Sequence, residues 1–296
     1  MRIGIDLGGS HVGIGLIDYE NGKIVEKIEQ NIEAKLNMEE YVLNLIDSYI
    51  NKFVESNNIE LIGIATPGNP NEKEMYIENL VNLKIEKLNF SKLYEKYHIP
   101  IKIENDGKAA GIGEFKFGAL KDYKDAVFLC LGTGIGAAVF LNGELLKANR
   151  HLGFELGHMI IDKNGPLCNC GKNGCFETFC SMKRFKNNVQ SILNINNISS
   201  EEWINILKNN INNLQIKKLI DDYINNLTIG LSNIIDIFEP EAICLGGSFA
   251  YFKEIFFEKL KNKIETERYV FNKDSLPDII LANLINDAGI LGACAN

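Results

Sequence analysis

The sequence predicts an α/β fold made of two similar domains with a ligand cleft between them. Three observations carry this. Strand-like apolar runs alternate with segments of helical periodicity. Three glycine loops, Leu7-Gly8-Gly9-Ser10, Leu131-Gly132-Thr133-Gly134 and Leu245-Gly246-Gly247-Ser248, each directly follow such a run. The succession strand, glycine loop, strand, Asn-Gly turn and strand occurs twice, the mark of a duplicated unit whose two copies would leave a cleft as the natural ligand site.

In the first copy, residues 12–18 read as the second strand and Asn21-Gly22 as its hairpin turn. Tyr41, Val42, Leu45, Ile46, Tyr49, Ile50 and Phe53 recur at helical spacing, and residues 61–65 then supply a strand ending at Thr66-Pro67-Gly68. A short apolar strand at 99–103 precedes Glu104-Asn105-Asp106-Gly107, with a helix expected from Ala109. In the second copy, residues 136–142 form the second strand and Asn142-Gly143 the turn. Ser199 with Glu202 resembles a capping box before Trp203, and a helical pattern over 219–238 stops at Pro240, giving way to a strand at 242–245. Residues 186–218, rich in Asn and Ile, read as a helical insertion without a chemical motif. The small-residue tail 287–293 predicts a helix pressed closely on its neighbours. The expected domains are 1–112, with a C-terminal helix in 284–296 returning to it, and 113–283.

With 296 residues, 46% hydrophobic and 24% charged, the chain has the makeup of an ordinary globular protein of about two domains. A formal net charge of −8 argues against nucleic acid as the main partner, because a phosphate backbone needs a dense Lys/Arg surface. The start, Arg2-Ile3-Gly4-Ile5, is too short and glycine-interrupted for a signal peptide, and no apolar run approaches the ~18 residues of a membrane span. These features predict a cytoplasmic protein with no membrane partner. Cys130, Cys180, Cys244 and Cys294 stand isolated among apolar or small residues and read as reduced core thiols.

The most specific stretch is Glu155-Leu156-Gly157-His158 followed by Cys168-Asn169-Cys170-Gly171-Lys172-Asn173-Gly174-Cys175-Phe176-Glu177. His158, Cys168, Cys170 and Cys175 supply one imidazole and three thiols, the donor set of a closed tetrahedral zinc site. Four protein ligands leave no position for water, so such a zinc is structural. Gly171 and Gly174 fall where the backbone must curl for three sulfurs to converge.

A glycine loop between two strands lets backbone N–H groups approach phosphate oxygens. Gly8, Gly9, Ser10, Gly132, Thr133, Gly134, Gly246 and Gly247 are therefore the expected nucleotide contacts, with hydroxyl donors at Ser10 and Thr133. Asp6, at the end of the first strand, can meet a magnesium ion bridging nucleotide phosphates, directly or through water. In Glu104-Asn105-Asp106, a carboxylate at a strand end can accept a proton from a substrate hydroxyl, although Asn-Asp-Gly by itself is a common turn.

Together these residues resemble the ROK family of repressors and sugar kinases, within the actin-like ATP-binding superfamily. The resemblance spans nearly the whole chain and also rests on Ala65-Thr66-Pro67-Gly68, Gly132-Thr133-Gly134-Ile135-Gly136 and Asp287-Ala288-Gly289. It implies two actin-like (ribonuclease H-like) domains. It implies Asp106 as general base and Asn105, Glu155, His158 and Glu177 as sugar contacts, with Gly68 lining the same pocket. His158 would then serve both zinc and sugar through its two ring nitrogens. The implied activity is ATP- and magnesium-dependent phosphorylation of a hexose 6-hydroxyl, glucose first and N-acetylmannosamine or N-acetylglucosamine next, by a homodimer. Two departures stand out: His11 occupies a position where the family often has Lys, and Phe154 precedes Glu155 where its kinases often have a small residue. The stretch 79–83 also lacks the family's Trp-containing pattern. His11, His98 and His151 match nothing catalytic. A sugar-binding regulator is the alternative; its helix-turn-helix would need room before the first phosphate loop, which starts at residue 6.

Overall fold

A computed structural model of the chain describes residues 1–148, 153–270 and 276–295. It resolves into two compact units, one of Met1–Asp122, Leu145–Phe154 and Asn283–Asn296, the other of Tyr123–Glu144 and Glu155–Ala282. No helix among the described residues is long and apolar enough to cross a membrane.

In the first unit, β1 (Arg2–Leu7), β2 (His11–Asp18) and β3 (Lys23–Asn31) form an antiparallel meander, and α1 (Met38–Val54) leads to β4 (Leu61–Thr66). A small antiparallel sheet follows, of β5 (Asn69–Asn71), β6 (Tyr76–Leu80) and β7 (Ile85–Asn89). Then come α2 (Ser91–Tyr97), β8 (Ile101–Asn105) and α3 (Asp106–Phe117). The main sheet has the order β3-β2-β1-β4-β8, with β1, β4 and β8 parallel. Helix α3 begins at Asp106, three residues before the expected Ala109, because Asn105 caps it, and it runs unbroken through residue 112.

The second unit contains β9 (Ala126–Leu131), β10 (Ile135–Leu141) and the two-residue β11 (Glu144–Leu145), whose last residue counts with the first unit. The helices α4 (Phe176–Cys180), α5 (Met182–Leu193), α6 (Trp203–Asn209) and α7 (Leu214–Phe238) follow, then β12 (Ala242–Gly246), α8 (Lys253–Thr266) and β13 (Asp278–Leu281). Its sheet order, β11-β10-β9-β12-β13, repeats the first unit's pattern of an antiparallel pair beside three parallel strands. Helix α7 starts five residues earlier than its apolar pattern suggested, where the Asn213 side chain accepts the N–H groups of Gln215 and Ile216. Of the expected capping box, one half forms: the Glu202 carboxylate accepts the Ser199 N–H at 2.9 Å. Asn142 and Gly143 both hold positive φ, 54° and 82°, as a tight two-residue turn requires. At the β2–β3 connection only Gly22 does, because that loop spans residues 19–22.

The first sheet buries opposite faces in different ways. Ile3, Ile5 and Leu7 of β1, Val12, Ile14 and Leu16 of β2, and Ile62 and Ile64 of β4 point into one apolar cluster with Val42, Ile46, Ile50 and Phe53 of α1. At the alternate positions Gly4 neighbours Gly15 and Gly63 across the strands, and Gly13 neighbours Asp6. A Cβ at Gly4 or Gly63 would fall on the carbonyl oxygen of Ile290 or Ala293 in the C-terminal helix, Ala288–Ala293. That helix approaches α3 equally closely, since a Cβ at Gly113 or Gly292 would strike the Ala288 or Ala109 carbonyl. The glycine-rich face thus lets a helix backbone lie directly on the sheet and ends at Asp6, the last polar residue of that face.

Candidate active site

In the first unit, three strand ends bring the predicted residues together. Asp6 lies one residue before the end of β1, and a Cβ at Gly289 of the C-terminal helix would fall on its carboxylate. Burial and then the neighbouring Asp106 raise the Asp6 carboxyl from 3.8 to about 7, with Lys27 pulling the other way. Asp106 is exposed, at the first position of α3, where the helix N-terminus favours a carboxylate. Its Oδ1 accepts the Gly107 N–H at 2.8 Å. Asn105 Oδ1 accepts the Gly107 and Lys108 N–H groups at 3.1 and 3.3 Å, and its Nδ2 donates to the Gly68 carbonyl at 3.5 Å. Gly68 itself holds φ 109°, with no room for a Cβ beside the Glu78 carbonyl. Asn105, Asp106 and Gly68 are therefore one hydrogen-bonded group.

The first glycine loop closes through Gly8 N–H to the His11 carbonyl at 2.9 Å, and Gly9 packs without room for a Cβ against Asn82. His11 is exposed at the start of β2, and His98 ends α2 in the left-handed region. His151 lies outside the described residues.

In the second unit, the Gly132–Gly134 loop joins β9 to β10, and the Gly246-Gly247 loop ends β12, parallel to β9. Gly247, at φ 65°, packs on the Leu131 backbone, and Ser248 Oγ donates to the Leu131 carbonyl at 3.5 Å. The two glycine loops thus stand side by side. A Cβ at Gly132 would meet nothing within 4 Å, so the loop is open at that residue.

The cysteine loop follows an exposed Glu155 and a 3₁₀ turn at Leu156–His158. The ligand atoms of His158, Cys168, Cys170 and Cys175 all lie within 4.8 Å of one another. His158 Nδ1 is 3.6 Å from Cys168 Sγ, and Cys170 Sγ is 3.6 Å from Cys175 Sγ. A tetrahedral ion with arms of ~2.3 Å to sulfur and ~2.05 Å to nitrogen sets edges of about 3.6–3.8 Å, so the cluster could hold a metal ion. Burial pushes the Cys175 thiol up to about 12, which makes a thiolate there depend on a nearby cation. Gly171 and Gly174 hold φ 88° and 73°, and a Cβ at Gly174 would fall on the Asp162 carbonyl. The loop is anchored where Phe176, fully buried, packs on Gly230 of α7. Glu177, one residue into α4, turns its Oε2 to the Ile135 N–H at 2.9 Å, at the end of the second glycine loop.

Several participants carry no sequence signal strong enough to single them out. Asn82 beside Gly9 and Gly289 beside Asp6 come from distant segments. Lys108, two residues after Asp106, is buried and donates to the Gly153 carbonyl at 3.2 Å. Buried Glu104 pairs with Lys147 at 2.9 Å, so two lysine contacts tie Lys147 to β8 and Gly153 to α3. Gly153 and Phe154 both lie at positive φ, 61° and 53°, which places a strained bulky residue directly before Glu155.

The ROK family profile matches residues 2–295. The xylose repressor of Bacillus subtilis (strain 168) is 29% identical over 276 residues, covering 90% of this chain and 69% of the repressor. The glucokinase of Thermotoga maritima is 28% identical over 320 residues, covering 99% and 96%. The crystal structure of a ROK family glucokinase from Streptomyces griseus in complex with glucose and AMPPNP has a TM-score of 0.79 at 22% identity, covering 99% of this chain and 97% of that one, and supports the shared fold. A match over 2–295 leaves only the terminal residues outside it: the chain belongs to the ROK family.

Proposed function

We propose that the chain is an ATP-dependent sugar kinase that transfers the γ-phosphoryl group to the 6-hydroxyl of a hexose, with glucose the favoured acceptor and N-acetylmannosamine or N-acetylglucosamine the alternatives. The observation that carries this reading is the carboxylate pair Asp6 and Asp106. The two lie close enough to perturb one another, one partly buried at a strand end and the other exposed on a helix N-terminus. Holding a sugar alone gives no use for two carboxylates at such electrostatic cost, whereas phosphoryl transfer uses one near the cation and one at the attacking hydroxyl.

In this reading Asp106 takes the proton of the 6-hydroxyl as that oxygen bonds to the γ-phosphorus and the bond to ADP breaks. Asn105, fixed by Gly68 and the first turn of α3, orients the acceptor. By the resemblance, Glu155, His158 and Glu177 supply further hydroxyl partners. Gly8, Gly9, Ser10, Gly132, Thr133, Gly134, Gly246 and Gly247 cradle nucleotide phosphates. Magnesium accompanying ATP would be met by Asp6 and would neutralise developing phosphate charge. Zinc suits the donor set of His158, Cys168, Cys170 and Cys175 and would stiffen the loop that carries Glu177.

A second reading, a sugar-responsive regulator, is favoured by the 29% identity to a xylose repressor. The two separate on sugar-dependent ADP release from magnesium-ATP across a panel of hexoses and N-acetylhexosamines. The kinase reading expects release with at least one sugar, and Asp106→Asn should lower kcat by about 10²- to 10⁴-fold while sugar affinity is kept. Saturable sugar binding with no ADP release would establish the regulator instead.

A further inference from the structure

We propose that Glu177 couples occupancy of the Cys/His cluster to the geometry of the Gly132–Gly134 loop, so that the loop's affinity for nucleotide phosphate depends on a bound metal. The proposal rests on the kinase reading above. Glu177 follows the ligand Cys175 by two residues, and its two oxygens face different ways. Oε2 accepts the Ile135 N–H at 2.9 Å, and Oε1 lies 4.0 Å from the Sγ of the ligand Cys168. Gly134 has no room for a Cβ because the same carboxylate occupies that space.

The opposite side of Ile135 is held as well. Gly157, adjacent in sequence to the ligand His158, packs against the Ile135 carbonyl with no room for a Cβ. Residues next to two metal ligands therefore enclose both polar groups of Ile135, the first residue of β10 after the loop. At the loop's other end, the Lys183 N–H at the start of α5 donates to the Gly132 carbonyl at 3.1 Å. The loop closes on itself through the Gly132 N–H to the Gly134 carbonyl at 3.0 Å, and the segments that carry the cluster hold its exit into β10. A metal that draws His158 and Cys175 to one point fixes the spacing of Gly157 and Glu177, and so the position of Ile135. Releasing the metal frees both sides together, and the phosphate-facing amides lose their fixed geometry.

The test uses the full-length chain with magnesium-AMPPNP as probe, titrated calorimetrically without sugar. It compares metal-loaded protein, chelator-stripped protein, and the Glu177→Ala and Glu177→Gln variants in both states. Amide hydrogen exchange over residues 131–136 is read in parallel. Stripping the parent should weaken AMPPNP about tenfold, ~1.4 kcal/mol, and speed exchange at Ile135. Glu177→Ala should bind as the stripped parent does and respond little to further stripping. Glu177→Gln keeps an oxygen acceptor at the same place and should restore most of the dependence on metal. Equal affinity of loaded and stripped parent overturns the coupling, as does a Glu177→Ala variant that loses as much on stripping as the parent. If the loaded parent binds no AMPPNP, the nucleotide part of the proposal falls with the kinase reading. Exchange at Ile135 then decides the coupling alone, and exchange indifferent to metal refutes it.

Discussion

Asp6→Asn isolates the electrostatic cost built into the candidate site. The carboxyl titrates near 3.8 in an unfolded chain and at about 7 in the folded one, owing to burial and the Asp106 charge. Between those values the folded state binds more protons, so this group's contribution to stability falls as pH rises from about 4 to about 7 and is constant above. Three units at ~1.4 kcal/mol each amount to on the order of 4 kcal/mol. Asp6 retains partial exposure and the attraction of Lys27, so about half that, ~2 kcal/mol, is the expected gain for Asn at pH 8. In a chain of this size, that corresponds to a rise in Tm of roughly 3 °C. Thermal melts of both proteins in magnesium-free buffer from pH 5 to 8.5 provide the assay. The variant should melt higher at pH 8, with the difference shrinking toward pH 5. A difference independent of pH, or a lower Tm for the variant at pH 8, would refute the reasoning. The same variant should bind magnesium-nucleotide more weakly, because the charge that costs stability is the one offered to the cation.

Cys170→Ser should abolish retention of one zinc per chain after chelator washing, measured by elemental analysis; undiminished zinc would remove Cys170 from the ligand set. Glu114 is fully buried, and its carboxylate accepts the N–H groups of Ala119, Leu284 and Asn283 at 2.8, 2.8 and 3.3 Å. Glu114→Ala strands those donors and should cost at least about 3 kcal/mol in urea unfolding, with early proteolysis near residue 283; Glu114→Gln should cost less. Among acceptors, kcat/KM should favour glucose. A preference of more than about tenfold, ~1.4 kcal/mol, for either N-acetylhexosamine would reassign the substrate while keeping the kinase.

Local rules made much of the fold legible. Apolar runs beside the glycine loop and before Thr66-Pro67-Gly68 mark β1, β2 and β4, and the alternation of side chains along those strands puts glycine at 4, 13, 15 and 63 on one face. What covers that face was written in a second, distant segment, the small-residue tail, and only the cross-strand register shows that the two match. Helix α3 begins three residues before Ala109, because its cap sits in the polar Asn105-Asp106 pair and not at the small-residue run that follows. Those residues have two uses at once: Asn105 closes the helix end and holds Gly68, which fixes where Asp106 points.

The site was legible in its residue types and far less in its contacts. Spacing alone gathers His158, Cys168, Cys170 and Cys175, because four candidate metal ligands close in sequence are a local object. Lys108, Lys147 and Asn82 left no such trace; their significance lies in which distant backbone or carboxylate they meet. Glu177 marks the boundary between the two cases. Its place after Cys175 and its resemblance-based assignment point to a sugar hydroxyl, yet its Oε2 already accepts the Ile135 N–H. A carboxylate has about four lone-pair sites, so one bond to the loop leaves acceptor capacity for a sugar hydroxyl. The two roles are therefore compatible: under the proposed function, a sugar contacting Glu177 would tighten the same loop that is proposed to cradle the nucleotide.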